Sequence, residues 1–432
     1  MIARLTAFFA LIALPVFADV PVKEVTSPGG LKAWLVEAQE IPFVALELRF
    51  KGGATLDPSG KEGAVTLMTG LLEEGTGDLD SQGFAAARDD LAASFSFNPS
   101  REIVGVSARF LTDNQDKAID LLRRALVEPS FPAEAVERVR MQILSNLTAE
   151  ERDPGAVAAK LFNEITFEGH VYARPSEGTH DSVKALTVED LKAAHKAALT
   201  RENVIIAATG DITAEALGVL LDKLLSGLPE KGGALPGPAE VHLSGQVVTE
   251  EFPGPQAVIL FGQEGIKIDD PDFFPAFIAS EILGGGRFGT RLMTEVREKR
   301  GLTYGIGAGF SSLDQAELLT GQVQTANATV KDTIEVIRAE WARLPDISED
   351  ELEATKRYLT GSYPLRWDGN ANIARALVGL QLQGWPIDYP SKRNGYIEAV
   401  TLAQVQAAAK AHFRAKDLSF IIVGRPVGLE QE

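Results

Sequence analysis

The strongest constraint on this chain is that it contains itself twice. TVEDLKAAHKAALTRENVIIAATG, Thr187 to Gly210, aligns without a gap on TLAQVQAAAKAHFRAKDLSFIIVG, Thr401 to Gly424, 214 residues further on. Each copy opens with a Thr followed three positions later by Asp190 or Gln404, the reciprocal pattern that satisfies free amides at a helix start. A helical period, a short polar turn and an apolar, β-rich run ending in Gly come next. Other pieces repeat in the same order. Strand-like Val44–Asp57 parallels Gln256–Asp270, and a helix is expected after each, over Glu62–Leu72 and Asp272–Leu283. Helices are also expected over Ala133–Ala149 and Ser348–Ser362, and EERDPGAVAA (Glu150–Ala159) resembles LRWDGNANIA (Leu365–Ala374).

A chain of 432 residues exceeds one ordinary core and suits two domains of about 200 residues each. The duplication places them at residues 19–227 and 244–432. Residues 228–243, LPEKGGALPGPAEVHL, carry Pro and Gly without a helix or strand period and read as a linker. Each half mixes crossover helices with hairpin-like strands such as Ala93–Arg109. The expected fold class is α+β: two homologous domains, each a mostly antiparallel sheet with helices packed on one face.

The first residues, MIARLTAFFALIALPVFADV, place Arg4 before an apolar run from Leu5 to Phe17 and a small residue at Ala18. This is the pattern of a secretory signal cleaved after Ala18, so an exported, periplasmic protein is expected. The run is too short to span a bilayer, which takes about 20 residues, and no stable membrane insertion is expected. The chain has no cysteine, which excludes disulfides and cysteine-held zinc. Its formal charge of −18 argues against nucleic acid as a partner.

The motif richest in chemistry lies in the second half: EILGGGRFGTRLMTEVREKRGLTYG, Glu281 to Gly305. It joins a glycine turn, Gly284, Gly285 and Gly286, to Arg297 and Tyr304. A guanidinium offers fixed, always charged donors and a phenol adds a neutral one. Together they suit an oxygen that gains negative charge.

On this motif and the surrounding Asp269–Phe310, the chain resembles the insulinase or pitrilysin family of zinc peptidases, and the resemblance covers nearly all of it beyond the signal. Such proteins are built from homologous domains that close like a clamshell on a peptide. Active members carry H-x-x-E-H on the first helix, where two His one turn apart hold zinc and the Glu activates its water. The frame survives here as Gly63-Ala64-Val65 and Leu71-Leu72-Glu73-Glu74-Gly75-Thr76, but Thr66, Thr69 and Gly70 stand at the His, Glu and His positions. Asn146 stands at the third ligand. The metal site is degenerate, and no cofactor is expected in this chain. The nearby acidic residues Glu73, Glu74, Asp78 and Asp80 lack calcium-loop spacing and read as a solvated turn.

By the same resemblance, Arg297 and Tyr304 face a zinc across the chamber and stabilise the transition state, and Gly284, Gly285 and Gly286 admit substrate backbone. Arg287 stands where the family has a small or apolar residue, which alters that surface. The resemblance implies a non-catalytic, substrate-binding subunit of a heterodimeric zinc peptidase. Its partner would be a homologous subunit bearing H-x-x-E-H and the zinc. The alternatives are a structural or assembly protein of the same fold, and a stand-alone peptide-binding protein.

Overall fold

A computed structural model describes residues 21–429; the secretory-signal reading falls outside them. The first half contains strands β1 (Lys23–Thr26), β2 (Lys32–Glu37), β3 (Phe43–Lys51), β4 (Gly75–Thr76), β5 (Leu79–Asp80), β6 (Ser94–Pro99), β7 (Ile103–Leu111) and β8 (Val204–Gly210). Its helices are α1 (Ala64–Thr69), α2 (Ser81–Asp90), α3 (Gln115–Val127), α4 (Ala133–Glu150), α5 (Pro154–Thr166), α6 (His180–Ala185), α7 (Val188–Ala198) and α8 (Ala214–Leu224). The second half contains β9 (Val247–Glu251), β10 (Gln256–Glu264), β11 (Ile306–Ser312), β12 (Glu317–Ala326) and β13 (Ser419–Gly424). Its helices are α9 (Phe273–Gly284), α10 (Val330–Arg343), α11 (Glu349–Ser362), α12 (Asn370–Leu382), α13 (Tyr389–Ala399) and α14 (Leu402–His412).

The duplication is visible in the sheets. The first runs β1-β2-β8-β3-β7-β6 and the second β11-β12-β10-β13-β9, the same order apart from the extra edge strand β1. Each has one parallel pair, β2 with β8 and β9 with β13, among otherwise antiparallel neighbours. The repeated segments become α7–β8 and α14–β13. Both helices start with the reciprocal cap that the sequence implies, Thr187 with Asp190 and Thr401 with Gln404.

Strand alternation sends one set of side chains from each sheet into its own half's core. In the first half, Leu46, Leu48, Ile206 and Ala208 pack with helical residues such as Leu67, Leu122 and Leu221. In the second, Ile259, Phe261, Phe420 and Ile422 pack with Ile278, Ile337 and Val405.

The opposite faces are covered reciprocally. Helix α5, from the first half, places Ala158 against Val258 and Val423, and Phe162 beside Ile421, all on the second sheet. Helix α12, from the second half, places Leu377 and Val378 against Trp34, Val36 and Ala207 of the first. Gln381 of α12 also donates to the Ile206 carbonyl at 2.9 Å. Each half therefore supplies one helix to the other half's sheet.

The segment 228–243 contains no helix or strand but is tied down. The Ala239 amide donates to Gln315 O at 2.9 Å and the His242 amide to Thr166 O at 2.9 Å. At the same seam, Glu102 accepts from the Tyr172 hydroxyl and, at 2.7 Å, from the Asp314 amide. Lys51 pairs with Asp314 at 3.2 Å.

Candidate functional site

The first half's would-be metal site is occupied by packing. Helix α1 is short because Gly63, its N-cap, needs φ 91, and a Cβ there would lie 2.6 Å from Glu177 O. The Asp57 carboxylate accepts from the Gly63 and Val65 amides at 2.8 and 2.9 Å, and burial pushes its pKa up to about 7. Ala64, Val65, Leu67 and Met68 are wholly buried. The residues that preserve the frame are thus those the fold itself requires.

At the ligand positions, the Thr66 hydroxyl donates to Ser176 O at 2.8 Å and the buried Thr69 hydroxyl to Val65 O at 2.7 Å. Gly70 ends the helix and Asn146 sits exposed on α4. These groups do not fit a zinc ion: two hydroxyls already bound to carbonyls, a residue without a side chain, and a neutral amide. Among the described residues, the group of three potential ligand side chains that converge is Asp270, Asp272 and His412, at the start of α9 and the end of α14, away from α1.

The acidic turn beyond α1 is paired rather than free. Arg88 binds Glu73 at 3.0 Å, Arg138 binds Glu74 and Arg124 binds Asp78. Asp80 caps α2 through the Gly83 amide at 2.8 Å. His195, on α7, is buried and bonds Leu126 O at 2.7 Å, and burial lowers its pKa.

The second half presents a different surface. Gly284 is the last residue of α9, and its bare backbone lies against β11: a Cβ would come within 2.7 Å of the Ala308 amide nitrogen. At Gly285 a Cβ would meet the Glu281 carboxylate at 2.4 Å. Gly286 faces open space.

The next helical turns, Met293–Glu298, are π-helical and carry Arg297. They are held in place by Arg291. Its buried guanidinium forks onto Glu351 of α11 at 2.7 and 2.9 Å and also donates to Arg343 O and Asp346 O. Burial alone would raise Glu351, but Arg291 and the Ser348 amide hold it down to about 2. Glu295 takes both Lys299 and Arg300, each at 2.6 Å. Arg297 is left with no ion pair among the described residues, its guanidinium 5.0 Å over the ring of Phe288. Phe288 is 70% exposed and Tyr304 89%, both unusual for large aromatic rings.

Tyr304 stands at the mouth of a cleft of about 1030 Å³ between α5 and the second sheet. Gly284 and Gly286 line it; Gly285 and Arg297 are outside its lining. Its floor is made by β11 and β12. Gly305, just before β11, and Gly307 and Gly309 within it recur at every second position, so that face of the strand carries no side chain over the cleft until Ser311. Phe162, Asn163 and Phe167 of the first half form the opposing wall. Sequence reasoning singled out Tyr304 and the glycines; it missed Phe288, the anchoring role of Arg291 and the wall from α5. The Arg291 role left no short-range sign in the sequence, because its partner Glu351 lies 60 residues further on.

A duplicated, clam-like pair of α+β domains with a vacated metal helix and a retained Arg–Tyr motif defines an inactive member of a metallopeptidase class. Residues 33–180 match the family described as "Insulinase (Peptidase family M16)", and residues 185–359 match "Peptidase M16 inactive domain". The chain belongs to the insulinase family, M16. It is 27% identical over 390 residues to "Non-peptidase homolog YmxG" of Helicobacter pylori, covering 89% of each chain. It is 24% identical over 447 residues to the "Probable mitochondrial-processing peptidase subunit beta" of Schizosaccharomyces pombe, covering 99% of this chain and 95% of that one. The solved structure of a peptidase M16 inactive domain from Pseudomonas fluorescens superposes with a TM-score of 0.88 at 29% identity, covering 95% of this chain and 99% of that one.

Proposed function

We propose that this non-catalytic M16-fold protein is the substrate-binding subunit of a heterodimeric zinc peptidase. Arg297 and Tyr304 complete the zinc site of a homologous partner that bears H-x-x-E-H. The observation that carries this reading is the contrast in polar groups. The hydroxyls of Thr66 and Thr69 are already bound within the first half, whereas among the described residues Arg297 has no carboxylate partner and Tyr304 projects into the cleft mouth. Preorganised donors of this kind act on an oxyanion only when a nucleophile is supplied, and this chain has none at α1. The cleft's glycine-lined edge strand offers peptide backbone a place to pair. Similarity to a protein named as a processing-peptidase subunit fits an assembly of two chains. The leader-like first residues suit a periplasmic location.

Affinity capture of the mature chain from an exported fraction, with partners identified by mass spectrometry, tests the assembly. A stoichiometric partner carrying H-x-x-E-H is the expected result. Recovery of this chain alone would replace the reading with that of a stand-alone binding protein.

A further inference from the structure

Beside the cleft lies a second polar site that the Arg–Tyr motif does not use. Glu281, on the last turn of α9, tucks its carboxylate under Gly285. Three guanidiniums, those of Arg287, Arg393 and Arg366, act on this one carboxylate, which burial otherwise pushes up in pKa. None of the three forms an ion pair with a carboxylate among the described residues. The locus carries three positive charges against one negative, in a chain whose net charge is −18.

Its arginines are held rather than loose. Arg287 donates to Thr355 Oγ1 at 2.5 Å and lies 5.1 Å over the Tyr358 ring. Arg393, buried, donates to Leu359 O at 2.8 Å and stacks 4.5 Å over the Tyr363 ring. Arg366 is exposed and opens the site to solvent. Two polar atoms here are shielded and unpartnered: Arg287 Nε and the hydroxyl of Tyr363, itself only 8% exposed. Buried donors without partners are rare in folded proteins and costly, so their concentration around excess positive charge marks a place for a missing acceptor. Gly286 lines the cleft and Arg287 is the next residue, so the two sites share one turn of backbone.

We propose that Arg287, Arg366 and Arg393 form a carboxylate-binding subsite that selects peptides carrying an acidic group, from a side chain or a free C-terminus. This rests on the peptide-holding part of the proposed function and narrows its substrate class. Guanidinium forks match a carboxylate with two parallel hydrogen bonds, and Glu281 limits the net charge so that an empty site remains tolerable. The low overall isoelectric point points the other way, toward basic peptides, but the local arrangement governs the ligand at this position.

The test measures binding of fluorescent peptides to the full-length chain by anisotropy. Each peptide is compared with a twin in which Glu is replaced by Gln, and with one amidated at its C-terminus. The acidic peptide should bind about tenfold more tightly than its neutral twin, the scale of one charge-assisted hydrogen-bonded pair. Loss on Glu-to-Gln replacement identifies a side-chain carboxylate, and loss on amidation a terminal one; either supports the subsite. Arg366→Gln, at an exposed position, should erase most of the preference without moving the melting temperature. Glu281→Gln should widen it by removing the internal competitor, an effect that a purely structural Glu281 would not produce. Peptides that bind equally well whatever their carboxylates overturn the subsite alone. A chain that binds no peptide overturns it together with the peptide-holding reading.

Discussion

The two halves share a sheet order and a helix order, yet they treat their polar groups in opposite ways. At α1 the hydroxyls of Thr66 and Thr69 are absorbed by neighbouring carbonyls, and the acidic residues that follow are paired with arginines. At the corresponding end of the second half, Tyr304 and Phe288 are exposed, and Arg297 stacks on Phe288 with no counter-ion among the described residues. A duplicated fold keeps what packing demands in both copies. What packing does not demand is free to be lost in one and kept in the other. The surviving frame around Gly63 is thus a record of steric need, and the exposed Tyr304 and half-buried Arg297 are the part that folding alone does not explain.

The reciprocal helices give the largest test of this comparison. Leu377 of α12 is fully buried on the first sheet and Phe162 of α5 is nearly so on the second. Truncating either to Ala should cost about 2–5 kcal/mol in chemical denaturation. Because each helix belongs to one half and covers the other, each variant should shift a single shared transition. Two separated transitions would mean that the halves fold independently and that the exchange is not structural.

The glycine turn gives a smaller and more local test. A Cβ at Gly284 would lie 2.7 Å from the Ala308 backbone nitrogen, whereas one at Gly286 meets nothing within 4 Å. Gly284→Ala should therefore destabilise by about 1–3 kcal/mol, and Gly286→Ala should leave the melting temperature nearly unchanged. Equal effects would contradict the division of that turn into a packed glycine and an open one.

The smallest effect concerns pH. Glu351 is held down to about 2 in the fold by Arg291 and the Ser348 amide, from an ordinary value of 4.5. A carboxylate with a lowered folded pKa binds fewer protons folded than unfolded. Its contribution is present above about 4.5 and is lost as pH falls toward 2. Glu351→Gln should flatten the acid limb of the stability–pH curve across that window. An unchanged limb would show that the Arg291–Glu351 anchor contributes nothing there.

Much of the scaffold was legible in the chain. The gapless repeat located α7–β8 and α14–β13, and the Thr–Asp and Thr–Gln spacings located their caps. Where short-range chemistry fixes an element, sequence suffices. The expected helix over Glu62–Leu72 is in fact only Ala64–Thr69, because Gly63 takes a left-handed conformation and Gly70 closes the turn. The exchange of α5 and α12 was not legible: an apolar helix face declares that it will be buried, not which sheet will bury it. For the same reason the cleft wall at Phe162 and the convergence of Arg287, Arg366 and Arg393 were hidden, since sequence-distant residues meet there through the fold. The missing metal ligands, by contrast, were readable position by position.

In the proposed function, Arg297 and Tyr304 act on a zinc site held by another chain. The sharpest measurement is the turnover of a peptide by this chain assembled with the proposed H-x-x-E-H partner, comparing Tyr304→Phe with Thr66→Ala. Tyr304→Phe should lower kcat by about 10²–10³-fold with assembly intact, the scale of losing one oxyanion donor, while Thr66→Ala leaves it unchanged. Full activity in the Tyr304→Phe complex would contradict the claim and leave the motif a feature of the fold alone.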